Sequence, residues 1–480
     1  MKKKYVRWTL WTIASPFILF IILCILIYLP PIQNFLVDKA AVYASEATGM
    51  NISVGRISLS FPLNLVVTNV DAASPHNDTL LSVRRLQVNV QLLPLLKKQV
   101  EVDGISLQGA TVNSNDLIHG MKLNGTLGEL FISSHGVALD PETAIVNKVL
   151  LKDTDLSLCL NDTAAVDTAA SDTTYWKIIL QDIDLQNVSF ALDMPLDSLS
   201  LAASLDNAIL RDGLIDLHKS AYSLQTFRIE NGRVRYDNGK PLAADSLSSG
   251  LDPSHIALTD IGVKLDSLYY GGRNMKAIIS QFVLKERSGV EIVSTEGRLV
   301  SNDKVLRVPS LKLETRDSYL ELNAAMDWNA LDFKGEGLMS ARLMADIGKP
   351  DVVRFMGRMD EKFVRQYPSE PLRIRTGIDG DLNKLKLTTL TAELPGALGL
   401  FARGELTHLT DSLLRGGDIT LEAETKDLKF VSTLAEGIEI PYGTRLEGKF
   451  TMAGAKMGTD LLLMQPEAQA VVAADTIPIT

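Results

Sequence analysis

The stretch EVDGISLQGATVN (residues 101–113) is echoed in pattern by ILQDIDLQNVSFA (residues 179–191). Laid over each other without a gap, Val102 falls on Leu180, Ile105 on Ile183, Leu107 on Leu185, Gln108 on Gln186, Gly109 on Asn187 and Val112 on Phe190. Apolar residues at alternate positions belong to a strand with one apolar face. Neither copy carries a set of reactive side chains. A chain that repeats such a phrase is built from repeated β units.

The same period of two runs through the rest of the chain. ISVGRISLSF places Ile52, Val54, Ile57, Leu59 and Phe61 in alternation, with a phase slip at Gly55-Arg56. A one-residue slip exchanges the two faces of a strand, so a bulge is expected there. LLSVRRLQVNVQLL alternates through Leu81 and Val83, then Leu86, Val88, Val90 and Leu92. Similar phrases continue through FRIENGRVRYDNG, LKLTTLTAEL and RLEGKFTM. Gly, Asn and Asp separate them, residues that accept the φ values of tight turns. The expected fold is mainly antiparallel β.

Two segments break the pattern. Residues 161–175 (NDTAAVDTAASDTTY) are low-complexity and aperiodic, which reads as a soluble linker. The alternative is an O-glycosylated loop, because Thr163, Thr168 and Thr173 each follow an aspartate in an Asp-Thr-small pattern. From Lys349, the residues Val352, Val353, Phe355, Met356, Met359 and Phe363 fit one helical face ended by Pro368. A helix capping part of the sheet is expected, with a lid or partner-docking helix as the other reading.

The N-terminus carries Lys2, Lys3, Lys4 and Arg7 before an uncharged run from Trp8 to Leu29. Such a run reaches roughly 33 Å as a helix, enough to cross a bilayer, and is longer than a signal-peptide core. An uncleaved anchor is expected, with Trp8, Trp11, Phe17, Phe20 and Tyr28 in the span and its interfaces. The positive-inside rule puts the basic tail in the cytoplasm and the body across the membrane.

Composition excludes several classes. Of the 480 residues, 46% are hydrophobic and 22% charged, so the body is neither disordered nor polytopic. A net charge of −10 argues against nucleic acid as a partner. Two cysteines in unrelated segments give no disulfide framework and no zinc spacing. HExxH, GxSxG and the Walker phosphate loop are absent, and the six histidines are scattered. Asp153/Asp155 and Asp182/Asp184 sit two apart as a general acid/base pair could, yet they recur with the repeat phrase and read as solvated strand positions. No enzyme, metal site or cofactor is expected.

The order of anchor, short helix ending at Gly49, MNISVGRISLSFPLNLVVTNVDAAS, TLLSVRRLQVNVQLLPLL and VEVDGISLQGATVN resembles the N-terminal region of the AsmA-like family, including TamB-like proteins. The likeness covers about residues 1–113, and looser parts follow, such as LRIRTGIDGDLNKLKLTTLTAEL. It implies an elongated, U-shaped, taco-like β-groove for phospholipid acyl chains, in an inner-membrane-anchored periplasmic protein of a Gram-negative bacterium. A β-sandwich with mutually packed faces is the alternative from alternation alone. The implied layout is a cytoplasmic tail (1–7), transmembrane helix (8–29), short helix (32–48), first groove segment (50–160), loop (161–175), second segment (176–340), helical interruption (341–370) and an incomplete third segment (371–480). Val102, Ile105, Leu107, Leu180, Ile183 and Leu185 are the expected lining. A scaffold for outer-membrane protein assembly is the second functional reading, in which an open strand edge near residues 460–480 pairs with a β-barrel assembly partner.

Overall fold

A computed structural model describes residues 39, 41–42, 45–46, 49–60, 64–74, 78–91, 102–114, 120–138, 142–161, 175–240, 250–334, 337–357, 359–434, 442–454, 456–465 and 468–478. The expected membrane anchor at 8–29, with Trp8, Trp11, Phe17, Phe20 and Tyr28, lies outside these residues, as do Thr163, Thr168 and Thr173. No helix among the described residues is long and apolar enough to cross a membrane. Residues 39, 41–42 and 45–46 are helical. Gly49 follows at φ 70°, its N–H donating to the Ser45 carbonyl at 2.9 Å, the left-handed cap expected of a C-terminal glycine.

The chain divides into two units, residues 1–218 and 219–480. The first holds β1 (Asn51–Ser60), β2 (Asn64–Ala73), β3 (Thr79–Val90), β4 (Val102–Asn113), β5 (Met121–Ala138), β6 (Thr143–Leu160), β7 (Lys177–Met194) and β8 (Leu199–Asp216). Each strand pairs with its successor. All these pairings are antiparallel except one. β6 and β7 run parallel, Thr143 opposite Lys177 through Cys159 opposite Asp193.

The parallel pair departs from the uniformly antiparallel sheet expected from sequence. Connection length permits it. A hairpin needs only a few residues, whereas Leu160 and Lys177 are separated by the low-complexity run, long enough to return along the strand. Alternation reports which residues share a face and carries no information on strand direction.

The second unit is an antiparallel meander. β9 (Ala221–Leu224) and β10 (Thr226–Asp237) both pair with β11 (His255–Gly271) and act as one interrupted strand. β12 (Asn274–Glu286), β13 (Glu291–Ser301), β14 (Val305–Thr315), β15 (Tyr319–Asp327), β16 (Met339–Ile347), β17 (Leu372–Gly380), β18 (Lys384–Leu394), β19 (Leu398–Thr407), β20 (Gly416–Thr425), β21 (Arg445–Ala453), β22 (Lys456–Gln465) and β23 (Ala468–Pro478) follow, each paired with the one before. Mainly β with a few short helices is therefore the architecture of the described chain.

The helical interruption is two helices, not one. After α1 (Trp328–Leu331), the segment from Lys349 forms α2 (Lys349–Met356) and α3 (Glu361–Gln366), broken at Gly357 with φ 73°. The aspartate before the second helix, Asp360, caps it by accepting from the Lys362 N–H at 2.7 Å. Phe363 is buried among Tyr367, Leu394, Ala397, Leu428 and Phe430, with Val352 and Met359 against them. Turns at one end of the strands thus share a small core. Asp351 anchors α2. Its carboxylate accepts from Thr315, from Ser318 Oγ at 2.6 Å and from Arg354 Nη1 at 3.0 Å, and Arg354 also reaches Asp317 at 2.6 Å.

Candidate functional site: aliphatic rows on a single-layer sheet

Directly paired residues share a face of a sheet, so ladder register converts sequence into rows. In the first unit one row runs Ile57, Val67, Leu86, Leu107, Leu130, Leu151, Leu185, Ala208 across all eight strands. Two residues along, a parallel row runs Leu59, Leu65, Val88, Ile105, Ile132, Val149, Ile183, Leu210. Sixteen positions are aliphatic without exception, counted along these two rows. Four of the six expected lining residues fall in them: Leu107 and Leu185 share one row, Ile105 and Ile183 the other. Val102 and Leu180 do not. Val102 pairs with Val90 beyond a register shift, and Leu180 pairs with Val146 and Gly213 nearer the strand ends.

Beside the aliphatic rows lies a polar row: Arg56, Thr68, Arg85, Gln108, Glu129, Lys152, Gln186, Asn207. Next comes a row in which Gly55, Asn69, Arg84, Gly109, Gly128, Asp153, Asn187 and Asp206 stand opposite one another between paired neighbours. Four of these, Asn69, Gly109, Asp153 and Asn187, have φ between 48° and 62°. That region is costly for most side chains and tolerated by Gly, Asn and Asp. Their neighbours leave room. A Cβ on Gly128 would lie 2.8 Å from that of Asp153, and one on Gly55 3.0 Å from that of Asn69. Beyond the row the apolar set resumes one residue out of phase, as Val54, Val70, Val83, Ala110, Leu127, Val188 and Leu205, with Thr154 the polar member. The slip at Gly55-Arg56 is therefore not an isolated bulge. Pairing continues one-for-one across it, and left-handed residues on alternate antiparallel strands absorb the change of phase.

The second unit repeats the two-faced design. One row runs Leu320, Ala345, Ile374, Ala392, Leu400, Ala423, Leu446, Leu463, alternating large and small over most of its length. β21 shows both faces in one strand: Arg445, Glu447 and Lys449 are exposed while Leu446, Gly448 and Phe450 between them are half-buried. The exposed face is laced by cross-strand ion pairs, including Arg375–Asp346 at 2.7 Å, Arg342–Asp379 at 2.9 Å and Lys449–Asp418 at 3.1 Å. Each contributes little in water, so their main effect is to keep that face solvated.

The substantial contacts of each described strand are with its sheet neighbours, apart from short helical segments at strand ends. No second layer covers the aliphatic rows among the described residues. Their side chains are mostly half-buried, shielded by one another and by the pleat. A sandwich would have buried them fully. Of the paired aspartates, Asp182 and Asp184 are bridged by Arg211 on β8, the latter at 2.9 Å, while Asp153 accepts from Asn187. Among the described residues, no group of His, Cys, Asp or Glu has metal-ligand geometry.

These features define a class only: a repetitive, mainly β protein whose sheet has one charged and one aliphatic face. No family model matches the chain, and no curated protein or solved structure matches it.

Proposed function

We propose that the aliphatic face holds phospholipid acyl chains, in an inner-membrane-anchored, periplasmic, U-shaped β-groove of the AsmA-like kind that moves lipid between the membranes of a Gram-negative envelope. The observation that carries this reading is the pair of unbroken aliphatic rows with no described layer over them. An apolar sheet face in water is unfavourable unless something covers it. Acyl chains suit such a face because the strand backbones of these rows are paired along the ladder. The lining then offers dispersion contact without a hydrogen bond that would fix one lipid in place. Sixteen similar positions give a chain no preferred stopping point, which is what conduction requires.

The test is native mass spectrometry and lipid extraction on the full chain, purified in detergent, beside the double variant Leu107→Lys, Leu185→Lys. Co-purified phospholipid lost from the variant, with its circular dichroism unchanged, is the expected result. A native chain free of phospholipid, or a variant that retains it fully, removes the reading. Glu447→Lys, on the charged face, serves as the control that leaves occupancy intact.

A further inference from the structure

Both ends of the second unit expose apolar side chains. At one end the turns share the Phe363 core, with Phe355 55%, Leu434 50% and Tyr442 70% exposed around it. At the other, β15–β16 and β19–β20 are joined by loops that thrust apolar side chains into solvent: Phe333 is 71% exposed, Leu338 66%, Leu413 86% and Leu414 63%. Leaving such residues in water is costly, and they are held in place. Phe333 sits at φ 53°, directly after α1 and its following turn. Leu413 and Leu414 are presented by a turn in which Asp411 Oδ1 accepts from both of their N–H groups, at 2.8 and 3.3 Å.

The arrangement fits a bilayer better than a protein surface. The two loops are four strands apart, roughly 19 Å at the usual strand spacing. Between them lies the polar turn Asp381–Asn383, whose Leu382 is buried. Isolated apolar tips separated by polar ground do not make the contiguous patch of a stable protein interface. A fluid interface accepts them one at a time. The carboxylates nearby are engaged within the protein: Asp332 with Arg273 at 2.7 Å and with Lys334 at 3.4 Å, Asp411 with backbone N–H groups. Arg273 and Lys334 thereby offset the charge of Asp332. Inward of the loops, Met326, Met339, Leu385 and Leu406 extend the aliphatic face to this edge.

We infer that this loop edge of the second unit inserts its Phe333, Leu338, Leu413 and Leu414 side chains into the interface of a phospholipid bilayer. The assignment goes beyond the acyl-binding reading, since the edge can dock on a membrane whatever occupies the sheet. These side chains are largely exposed and lie outside the Phe363 core.

The experiment places a single bimane label at Leu413→Cys, Leu338→Cys or Phe355→Cys in the full chain carrying Cys24→Ser and Cys159→Ser. Each labelled chain is reconstituted in phosphatidylcholine vesicles with plain or dibrominated acyl chains. Labels at 413 and 338 are expected to emit at shorter wavelength and to lose about half their emission to the bromolipid, as a group roughly 5–10 Å deep should. The label at 355, on the opposite end, is expected to do neither. Labels at 413 and 338 that stay solvent-like overturn the proposal. A shifted label that bromolipid does not quench also overturns it, because burial then comes from protein. Neither readout depends on lipid bound at Leu107 and Leu185, so the two readings fail separately.

Discussion

Asn187 on β7 donates from Nδ2 to Asp153 Oδ1 on β6 at 2.9 Å, and both residues hold left-handed backbone, at φ 51° and 48°. The bond joins the one parallel pair among the described strands of the first unit, at the level where its apolar pattern changes phase.

Replacing Asn187 by valine is expected to destabilise the first unit by about 1–2 kcal/mol from the backbone alone, because a β-branched residue at positive φ meets its own carbonyl. Asn187→Gly keeps the conformation and loses only the hydrogen bond, a smaller effect of about 0.5–1.5 kcal/mol. The urea midpoints of the two variants decide the matter. Equal midpoints would mean that the left-handed backbone is not what the site requires.

The parallel register constrains the length of the connection before β7. Thr143 to Leu160 spans roughly 56 Å at strand rise, and the steps from Leu160 to Lys177 reach at most about 56–61 Å. Deleting five residues within 162–174 is expected to abolish the pairing, read as loss of a Val149→Cys, Ile183→Cys disulfide in a Cys24→Ser, Cys159→Ser background. A Gly/Ser segment of the original length should preserve that crosslink. If the deletion also preserves it, the strands do not pair in this register.

Two glycines distinguish close strand approach from mere glycine content. A Cβ on Gly448 would fall 2.1 Å from the Asp460 carbonyl oxygen, whereas one on Gly399 meets nothing within 4 Å. Gly448→Ala is expected to cost about 1–3 kcal/mol as an overpacking change. Gly399→Ala should be neutral or slightly stabilising, since it narrows the unfolded ensemble. Thermal melts of both compared with the parent chain would expose an error in either direction.

His255, at the start of β11, lies with Nδ1 2.8 Å from Asp252 Oδ2 and Nε2 3.7 Å from Asp237. The hydrogen bond to Asp252 raises the imidazole above its ordinary value of 6.5. Its stabilisation is therefore fully present below about pH 6.5 and is lost as pH rises through the higher folded value. Asp252 is held below its ordinary 3.8, first by that same bond, so its contribution appears above about pH 4 and is lost as pH falls through the lower value. Amide exchange at Tyr236 and Ile256, corrected for intrinsic rate, should be slowest near pH 5–6 and faster at pH 8. In His255→Gln the difference between pH 6 and 8 should vanish; its persistence would exclude this histidine as the cause.

Removing the buried carboxylate of Asp351 leaves the hydroxyls of Thr315 and Ser318 and the Arg354 guanidinium short of an acceptor. Asp351→Ala is expected to cost about 3–5 kcal/mol, the range for breaking a buried pair on one side. Protease cleavage near α2 at temperatures where the parent resists would report it.

Much of this was legible in residue types. Gly109 falling on Asn187 in the repeated phrase is explained by a shared backbone state that only a few residues accept. The phase slip at Gly55-Arg56 recurs as Arg84-Arg85, Lys152-Asp153 and Gln186-Asn187, marked by a three-residue spacing between apolar positions in every strand but β6, where Thr154 takes the second place. Four of the six proposed lining positions share two rows because alternation fixes face. Val102 and Leu180 fall outside those rows because each stands three residues before Ile105 or Ile183, an odd spacing that leaves the alternation, and at Val102 a register shift adds to it.

The chain by itself determined strands, turns, capping glycines and the division of each strand into an aliphatic and a polar side, since these depend on contacts within a few residues. Only the tertiary structure decided that β6 and β7 run parallel, that Gly357 splits the helical segment, and that the aliphatic rows carry no second described layer. Strand direction and coverage arise from contacts between distant segments, and alternation is identical whichever partner a strand finds.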